Sequence, residues 1–423
     1  MHNRIIADKV LRSLSSHEII FLLGTRQVGK TTLTKMTMDA CKIDTKQKIY
    51  YDLEDSRERS LFENSSVEQI KRVLKLDNVD SDKSSLVCFD EIQKLKDPSN
   101  LLKLMHDHLP NVRVIATGSS SLEIKHKFSD SLAGRKRVFQ IEPLNFDEFL
   151  VFTRQERLVN FRQMFADTND RLSLKPIADA LANEFLSAFH EYLLFGGYPE
   201  VVLLPSREQK IEKLKSIIDS YINKDIRDMA NIENIEGYNN LLKYISINTC
   251  STINLASVSN DIKVALNTLN RYIQILKDTF IIGELAPFFS NKNNEISKNK
   301  KLFFKDLGNR NLQISSFVAL GDRVDGGALY ENYTYNRLGS GLGPTESLHF
   351  YRTQSKTEID FVKVSEDGLS IYEVKSGSHT QTPKAFSEFR SKYADRGIKS
   401  MTVINRDNLE YSNGVWFIPA YLV

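Results

Sequence analysis

Ile19-Ile20-Phe21-Leu22-Leu23 is a continuous apolar run, and Gly24-Thr25-Arg26-Gln27-Val28-Gly29-Lys30-Thr31 follows it directly. Unbroken apolar residues suit a strand buried on both faces of a sheet, because a half-exposed strand alternates with polar positions. The eight residues after it satisfy G-x-x-x-x-G-K-[ST] at every fixed position. Thr32-Leu33-Thr34-Lys35-Met36 then continues as a helix. Strand, loop and helix in that order is the setting in which this spacing cradles phosphate. Gly24 and Gly29 permit the tight turns that aim successive backbone N–H groups at phosphate oxygens, and the helix N-terminus adds partial positive charge. Lys30 reaches β- and γ-phosphates, and the Thr31 hydroxyl suits Mg2+. The alternative is a glycine turn with a chance Lys-Thr pair, which the strand–helix context argues against. The candidate nucleotide-binding set is Gly24, Thr25, Arg26, Gln27, Val28, Gly29, Lys30, Thr31 and Thr32.

The 423 residues leave room for two to four domains, and 41% hydrophobic with 26% charged residues is the balance of a globular protein with sizeable cores. A net charge of +3 permits a nucleic-acid partner without arguing for one. Cys41, Cys88 and Cys250 are far apart and form no C-x-x-C pair, which points to a reducing compartment and away from structural zinc. The first residues show no apolar signal segment, and no apolar run approaches the length of a membrane span. The expectation is a cytoplasmic protein with no membrane association.

Ser85-Leu86-Val87-Cys88-Phe89 reads as a second buried strand, and it ends in Asp90 and Glu91. Asp90 at a strand tip can hold the Mg2+ shell, and Glu91 beside it can polarise an attacking water as general base. Val112-Arg113-Val114-Ile115-Ala116-Thr117 is the next strand, closed by Gly118-Ser119-Ser120-Ser121. Ser119 or Thr117 can report the γ-phosphate; a helix N-cap serine is the structural alternative. Arg135-Lys136-Arg137 precedes a last strand over 138–141, and an arginine there can serve a neighbouring nucleotide site or simply a solvated turn.

These pieces make residues 16–150 resemble the AAA-type branch of P-loop ATPases, on "GTRQVGKTT", "LVCFDEIQ", "VRVIATGSSS" and "LAGRKRVFQIEPLNFDEF". The second carboxylate, Glu91, and a strand inserted between the phosphate loop and Asp90 mark that branch. No guanine-reading N-K-x-D motif is present, so the resemblance implies ATP with Mg2+.

Residues 146–195 read as helices, with Phe185, Phe189, Leu193 and Leu194 on one apolar stripe, and the resemblance implies a helical lid there. A charged helix is expected over 207–229. A helix starting at Ile253, a break at Ser259-Asn260-Asp261, a helix over 264–277 and a strand from Phe280 form a helix-turn-helix pattern. Lys292, Lys298, Lys300 and Lys301 then make a lysine-rich loop. A DNA contact and an inter-domain joint both fit this pattern.

Near the C-terminus, Glu358-Ile359-Asp360-Phe361-Val362 and Leu369-Ser370-Ile371-Tyr372-Glu373-Val374-Lys375 read as paired strands around a turn at Glu366-Asp367-Gly368. Glu373 and Lys375 project from one face of their strand, and the hairpin brings Asp360 beside them. Two carboxylates and an ammonium suit Mg2+-dependent phosphodiester hydrolysis, with Asp360 and Glu373 on the metal and Lys375 positioning water. This D…E-x-K arrangement resembles restriction-endonuclease-like nucleases, in which Glu331 matches an additional metal-binding acid. A salt-bridged hairpin on an inactive binding module is the alternative.

The order of the pieces resembles a bacterial and archaeal family of AAA-type ATPases with a winged-helix middle and a nuclease-like C-terminal domain, on "FGGYPEVV", "YINKDI", "LFFKDLGNRN", "GALYENY" and "TEIDFV…YEVKSG". The expected fold is α/β: a P-loop AAA-type ATPase core at 1–150, a helical lid at 151–205, a helical/winged-helix domain at 206–305 and a restriction-endonuclease-like α/β domain at 306–423. The expected activity is ATP hydrolysis on behalf of nucleic acid, or an ATP-driven switch whose C-terminal domain only binds DNA or a protein. DNA is the expected partner, and a homo-oligomer is compatible.

Overall fold

A computed structural model describes residues 4–119, 132–221, 232, 234–289, 298–355 and 357–423. Ser120, Ser121, Lys292 and residues 222–229 of the expected charged helix lie outside the described residues. The chain divides into two compact units: residues 1–143 with 219–233 and 278–280, and residues 144–218 with 234–277 and 281–423.

The first unit is built on five parallel strands, β1 (Ile19–Leu23), β2 (Lys48–Asp52), β3 (Ser85–Asp90), β4 (Val112–Gly118) and β5 (Lys136–Gln140). Their spatial order is β2-β3-β4-β1-β5. Every residue of β1 and β3 is buried, as their unbroken apolar runs require. β4 lies between β1 and β3, so the phosphate loop and the Asp90 tip project from the same sheet edge one strand apart. Helices cover the sheet, and Phe21, Phe89, Leu102 and Met105 are among its fully buried core residues.

The second unit holds a two-stranded antiparallel ribbon, β6 (Ile282–Leu285) with β7 (Lys301–Phe304). It also holds a six-stranded mixed sheet of β8 (Ser347–Arg352), β9 (Glu358–Ser365), β10 (Gly368–Val374), β11 (Ile398–Asn405), β12 (Glu410–Ser412) and β13 (Val415–Pro419). The order is β12-β13-β11-β10-β9-β8. Strand alternation sends Phe361, Ile404 and Ile418 to one core and Val362, Val403 and Phe417 to the other.

The helices read between 146 and 195 form as Phe146–Phe152, Glu156–Asp167 and Lys175–Phe195. Their apolar stripe enters the core of the second unit: Phe185 stacks on Tyr421 at 4.8 Å between ring centroids, and Phe189 meets Tyr333 edge-on at 4.7 Å. Periodicity announces such a stripe but not the partner it meets.

The motif segments 195–202 and 302–311 lock together. Asp306 caps the helix Leu307–Gln313 and also accepts from the Gly197 N–H at 2.8 Å. A Cβ on Gly196, whose φ is +74°, would strike Asp306 Oδ2 at 2.3 Å, so glycine is dictated there by packing. Asn311 Nδ2 donates to the carbonyls of Leu193 and Leu194, each at 2.9 Å.

The helix pair in the middle differs in detail from expectation. The first helix, Leu255–Ile262, runs through the expected break, and the chain turns at Lys263 with φ +54°. The second is Leu266–Asp278. Asn254 side-chain bonds to the Ala256 and Ser257 N–H groups start the first helix at Leu255, two residues into the apolar pattern.

Candidate functional site

The phosphate loop follows β1 and leads into the helix Lys30–Ala40, whose N-cap is Gly29 at φ +91°. That left-handed backbone favours glycine. A Cβ on Gly24 would lie 2.1 Å from the Ile141 carbonyl oxygen, so the loop passes too close to β5's end for any side chain. Val28 is fully buried and anchors the loop to the core, while Thr32 faces outward. Thr25 and Lys30 are each 5% exposed. Lys30 Nζ donates to the carbonyls of Gly24 at 3.0 Å and Thr25 at 2.9 Å, curling over its own loop. Thr25 Oγ1 and Gln27 Oε1 are buried with no hydrogen-bond partner among the described residues. A buried ammonium resting on loop carbonyls, beside a Thr25 hydroxyl with no partner among the described residues, fits an anionic ligand; Gln27 Oε1, an acceptor, does not contribute to that fit.

Asp90 is the convergence point of the first unit. Its Oδ2 accepts from Thr31 Oγ1 at 2.6 Å and from the Tyr50 hydroxyl at 2.5 Å, and its Oδ1 accepts from Thr117 Oγ1. Burial and the Asp90 carboxylate push the Tyr50 phenol far above its ordinary range, so it stays a donor. Glu91 leaves the strand with φ +55°, an uncommon backbone for a residue with a Cβ, and its N–H donates to Thr117 Oγ1 at 3.1 Å. Gln93 Nε2 donates to Glu91 Oε2 at 2.5 Å and to Ser119 Oγ at 3.2 Å. Ser119 is therefore tied to Glu91 through Gln93. Arg26 is half-buried. Arg135 pairs with Asp107 at 2.8 Å, and Arg137 with Glu18 at 2.6 Å.

Tyr50 and Gln93 escaped the sequence reading. Nothing in a strand such as Lys48–Asp52 shows that one tyrosine reaches an acid on the neighbouring strand 40 residues later. Gln93 was quoted within "LVCFDEIQ", but its reach to both Glu91 and Ser119 depends on the turned backbone at Glu91.

In the second unit, β9 and β10 pair antiparallel around Glu366 and Asp367, with Phe361 opposite Tyr372. The hairpin brings Asp360, Glu373 and Lys375 together. Asp360 Oδ2 accepts from the Val374 N–H at 2.8 Å, and Lys375 Nζ lies 2.7 Å from Glu373 Oε1. Glu373 Oε2 is buried with no hydrogen-bond partner among the described residues. Burial, then the Asp360 charge, pushes Glu373 up to about 7. Burial also raises Asp360.

Two expectations about this region need correction. Lys301 is not part of an exposed basic loop: it opens β7, is 2% exposed, and its ammonium lies 2.9 Å from Glu331 Oε1 and 2.7 Å from Glu358 Oε1. Lys300 is paired with Glu284 at 2.7 Å. Both lysines are spent on carboxylates: Lys301 opens the buried strand β7, and Lys300, half-buried just before it, reaches Glu284 on the paired strand β6. Glu331, expected as an additional metal-binding acid, lies on the helix Gly326–Ser340 and holds Lys301 through its Oε1. Burial and then the Asp360 charge push Glu331 up to about 8, against the pull of Lys301. Among the described residues, no three His, Cys, Asp or Glu side chains gather as a ready metal cage.

Lys298 remains exposed and lines a cleft of about 1000 Å3 with Phe289, Tyr351, Arg352, Lys392 and Tyr393. No described carboxylate lines it. Lys392 donates to the Tyr351 hydroxyl at 3.1 Å and lies over that ring at 5.3 Å. Arg352 touches Glu358 at 3.8 Å, so the cleft borders the acidic cluster.

Residues 16–150 match the AAA domain family. Residues 186–316 and 326–423 match two domains of unknown function, DUF8612 and DUF4143. An uncharacterized protein of Methanocaldococcus jannaschii is 26% identical over 428 residues, covering 96% of this chain and 89% of its own length. An uncharacterized protein of Mycobacterium tuberculosis is 22% identical over 429 residues, covering 99% of this chain and 84% of its own. Among solved structures, a Walker-type ATPase of Pyrococcus abyssi is similar at 18% identity and a TM-score of 0.48, over 74% of this chain and 96% of that one. The Aeropyrum pernix ORC2 protein is similar at 12% identity and a TM-score of 0.39, over 74% and 95%. No helix of the described residues is long and apolar enough to cross a membrane. With its parallel sheet, its phosphate loop and the acid pair at the tip of β3, the segment 16–150 is an AAA-type P-loop ATPase domain.

Proposed function

We propose that this chain hydrolyses ATP in the service of a nucleic-acid reaction, and that Asp360, Glu373 and Lys375 form a divalent-metal phosphodiesterase site. The observation that carries the second half is Glu373 Oε2. It is a buried carboxylate oxygen without a hydrogen-bond partner among the described residues, beside Asp360 and within one side chain of Lys375. Leaving such an atom unsatisfied costs about 1–3 kcal/mol or more, which a bound cation recovers.

In the ATPase unit, Lys30 and the loop N–H groups bind phosphate, Thr31 and Asp90 hold Mg2+, and Glu91 takes the proton of the attacking water. Tyr50 and Thr117 fix Asp90, and Gln93 fixes Glu91. In the second unit, Asp360 and Glu373 hold a divalent ion, which when bound polarises the phosphodiester and its attacking water. Lys375 orients that water and offsets developing charge. The adjoining cleft, with three cations and aromatic rings, suits a nucleic-acid backbone. The helices 255–262 and 266–278 with the β6–β7 ribbon read as a winged helix serving as a joint, since Lys300 and Lys301 are committed to carboxylates.

The same Lys301 favours a second reading, in which the acidic cluster is neutralised from within and the C-terminal domain only binds nucleic acid. Incubating the protein with linear and circular DNA, Mg2+ or Mn2+, and with or without ATP separates the two. Cleavage that Asp360→Ala abolishes supports the enzyme; intact DNA under every condition supports the binder.

A further inference from the structure

Four carboxylates of the second unit, Glu331, Glu358, Asp360 and Glu373, are linked through two lysines and one another's charge, without three of them converging as a metal cage. Two ammonium groups answer them, and the two are placed differently. Lys375 is 40% exposed at its side chain and pairs with Glu373. Lys301 is 3% exposed at its side chain and bridges Glu331 and Glu358. Its charge also acts on Asp360.

A buried ammonium between two carboxylates does for them electrostatically what a metal ion would do, without leaving them free to ligate one. The carboxylate oxygens that Lys301 engages are Oε1 of Glu331 and Oε1 of Glu358. The orphaned oxygen is on Glu373, whose other oxygen pairs with Lys375 and not with Lys301. The cluster thus has two halves: one filled by a lysine, the other with an unsatisfied acid.

We propose that Lys301 is a built-in cation that occupies the place of a second metal ion, so that the acidic site takes one divalent cation, held by Asp360 and Glu373. This rests on the phosphodiesterase reading of that site. Glu331 is then a positioning residue for Lys301 rather than a metal ligand. Because Lys301 opens β7, the ribbon β6–β7 contributes a charge to a site whose other members come from the helix 326–340 and from β9 and β10. The site is incomplete without a residue that precedes the C-terminal domain.

The test is Mn2+ uptake by the full chain without nucleotide, followed by the electron paramagnetic resonance of free Mn2+. The wild type takes up one ion that Asp360→Ala loses. Lys301→Met, which keeps the length of the side chain and removes the charge, takes up a second ion in the vacated half. Glu331→Gln leaves the affinity for the first ion within about threefold. It also guards the test should Lys301→Met fail to fold. Two Asp360-dependent ions in the wild type overturn the proposal. So does one unchanged ion in a folded Lys301→Met protein, or a tenfold or greater loss of affinity in Glu331→Gln. If no protein shows an Asp360-dependent ion, the phosphodiesterase reading itself fails, a result distinct from the other three.

Discussion

The hydroxyl of Thr31 donates to Asp90 Oδ2 across 2.6 Å, joining the end of the phosphate loop to the tip of β3. The two residues are 59 positions apart in the chain. Their contact is the geometric basis for reading one nucleotide site from two motifs, and it sets the first expectation.

Substitutions at this site should separate binding from turnover. Lys30→Ala removes the cation facing the phosphates and should weaken ATP binding. Glu91→Gln should keep binding and lower turnover by about a hundredfold or more, because an amide cannot accept the water's proton. Gln93→Ala removes the donor 2.5 Å from Glu91 and should lower turnover about tenfold at unchanged affinity. Fluorescent-nucleotide titration and phosphate release check all three; wild-type turnover in Glu91→Gln would refute the assignment of the base.

A stability switch at low pH belongs to Asp325. Burial alone would raise it, but hydrogen bonds from Arg323 and Arg310 outweigh that and hold it at about 2, below its ordinary 3.8. Both arginine side chains are 1% exposed. A carboxylate lowered in the folded state contributes stability above its ordinary value, and loses it as pH falls toward the folded one. Roughly 2 kcal/mol should therefore disappear between about pH 4 and pH 2. Asp325→Asn should cost about 3 kcal/mol at neutral pH, since it strands two buried guanidinium groups. In that variant the loss of stability over the same pH interval should shrink. Urea melts across pH on both proteins provide the comparison.

Nucleic-acid affinity should depend on the cleft and not on the lysines already paired with carboxylates. Lys298→Gln with Lys392→Gln should flatten the slope of log affinity against log salt by about 1.4 for a single strand, or about 1.8 for a duplex. Lys300→Gln should leave it unchanged, because Lys300 is already paired with Glu284. Anisotropy of a labelled oligonucleotide in EDTA isolates this term from any cleavage.

Local pattern made some of this architecture readable and left the rest hidden. The run Ile19–Leu23, the glycine-bounded loop and the apolar strand ending in Asp90 announce themselves because burial and turn chemistry act within a few residues. The hairpin that sets Asp360 beside Glu373 was also readable, because Glu366-Asp367-Gly368 sets its register. Lys301 was misread because its burial comes from β6, from Glu331 some thirty residues on, and from Glu358 further still. A lysine beside other lysines looks solvated until its strand partners are known. Tyr50 and Gln93 were missed for the same reason: each acts through a contact that only the assembled sheet edge creates.

The most direct test of the account measures DNA cleavage and melting temperature on the same variants, Asp360→Ala, Glu373→Ala and Lys375→Ala. The two carboxylate variants should lose Mg2+- or Mn2+-dependent cleavage. Lys375→Ala should lose most of it while still binding the ion. All three should keep their basal ATP hydrolysis and melt near the wild type. A wild-type protein that cuts no DNA with either ion, with or without ATP, while its variants melt early by the equivalent of about 3–5 kcal/mol, would contradict it. The cluster would then be an ion-pair network that holds the domain together.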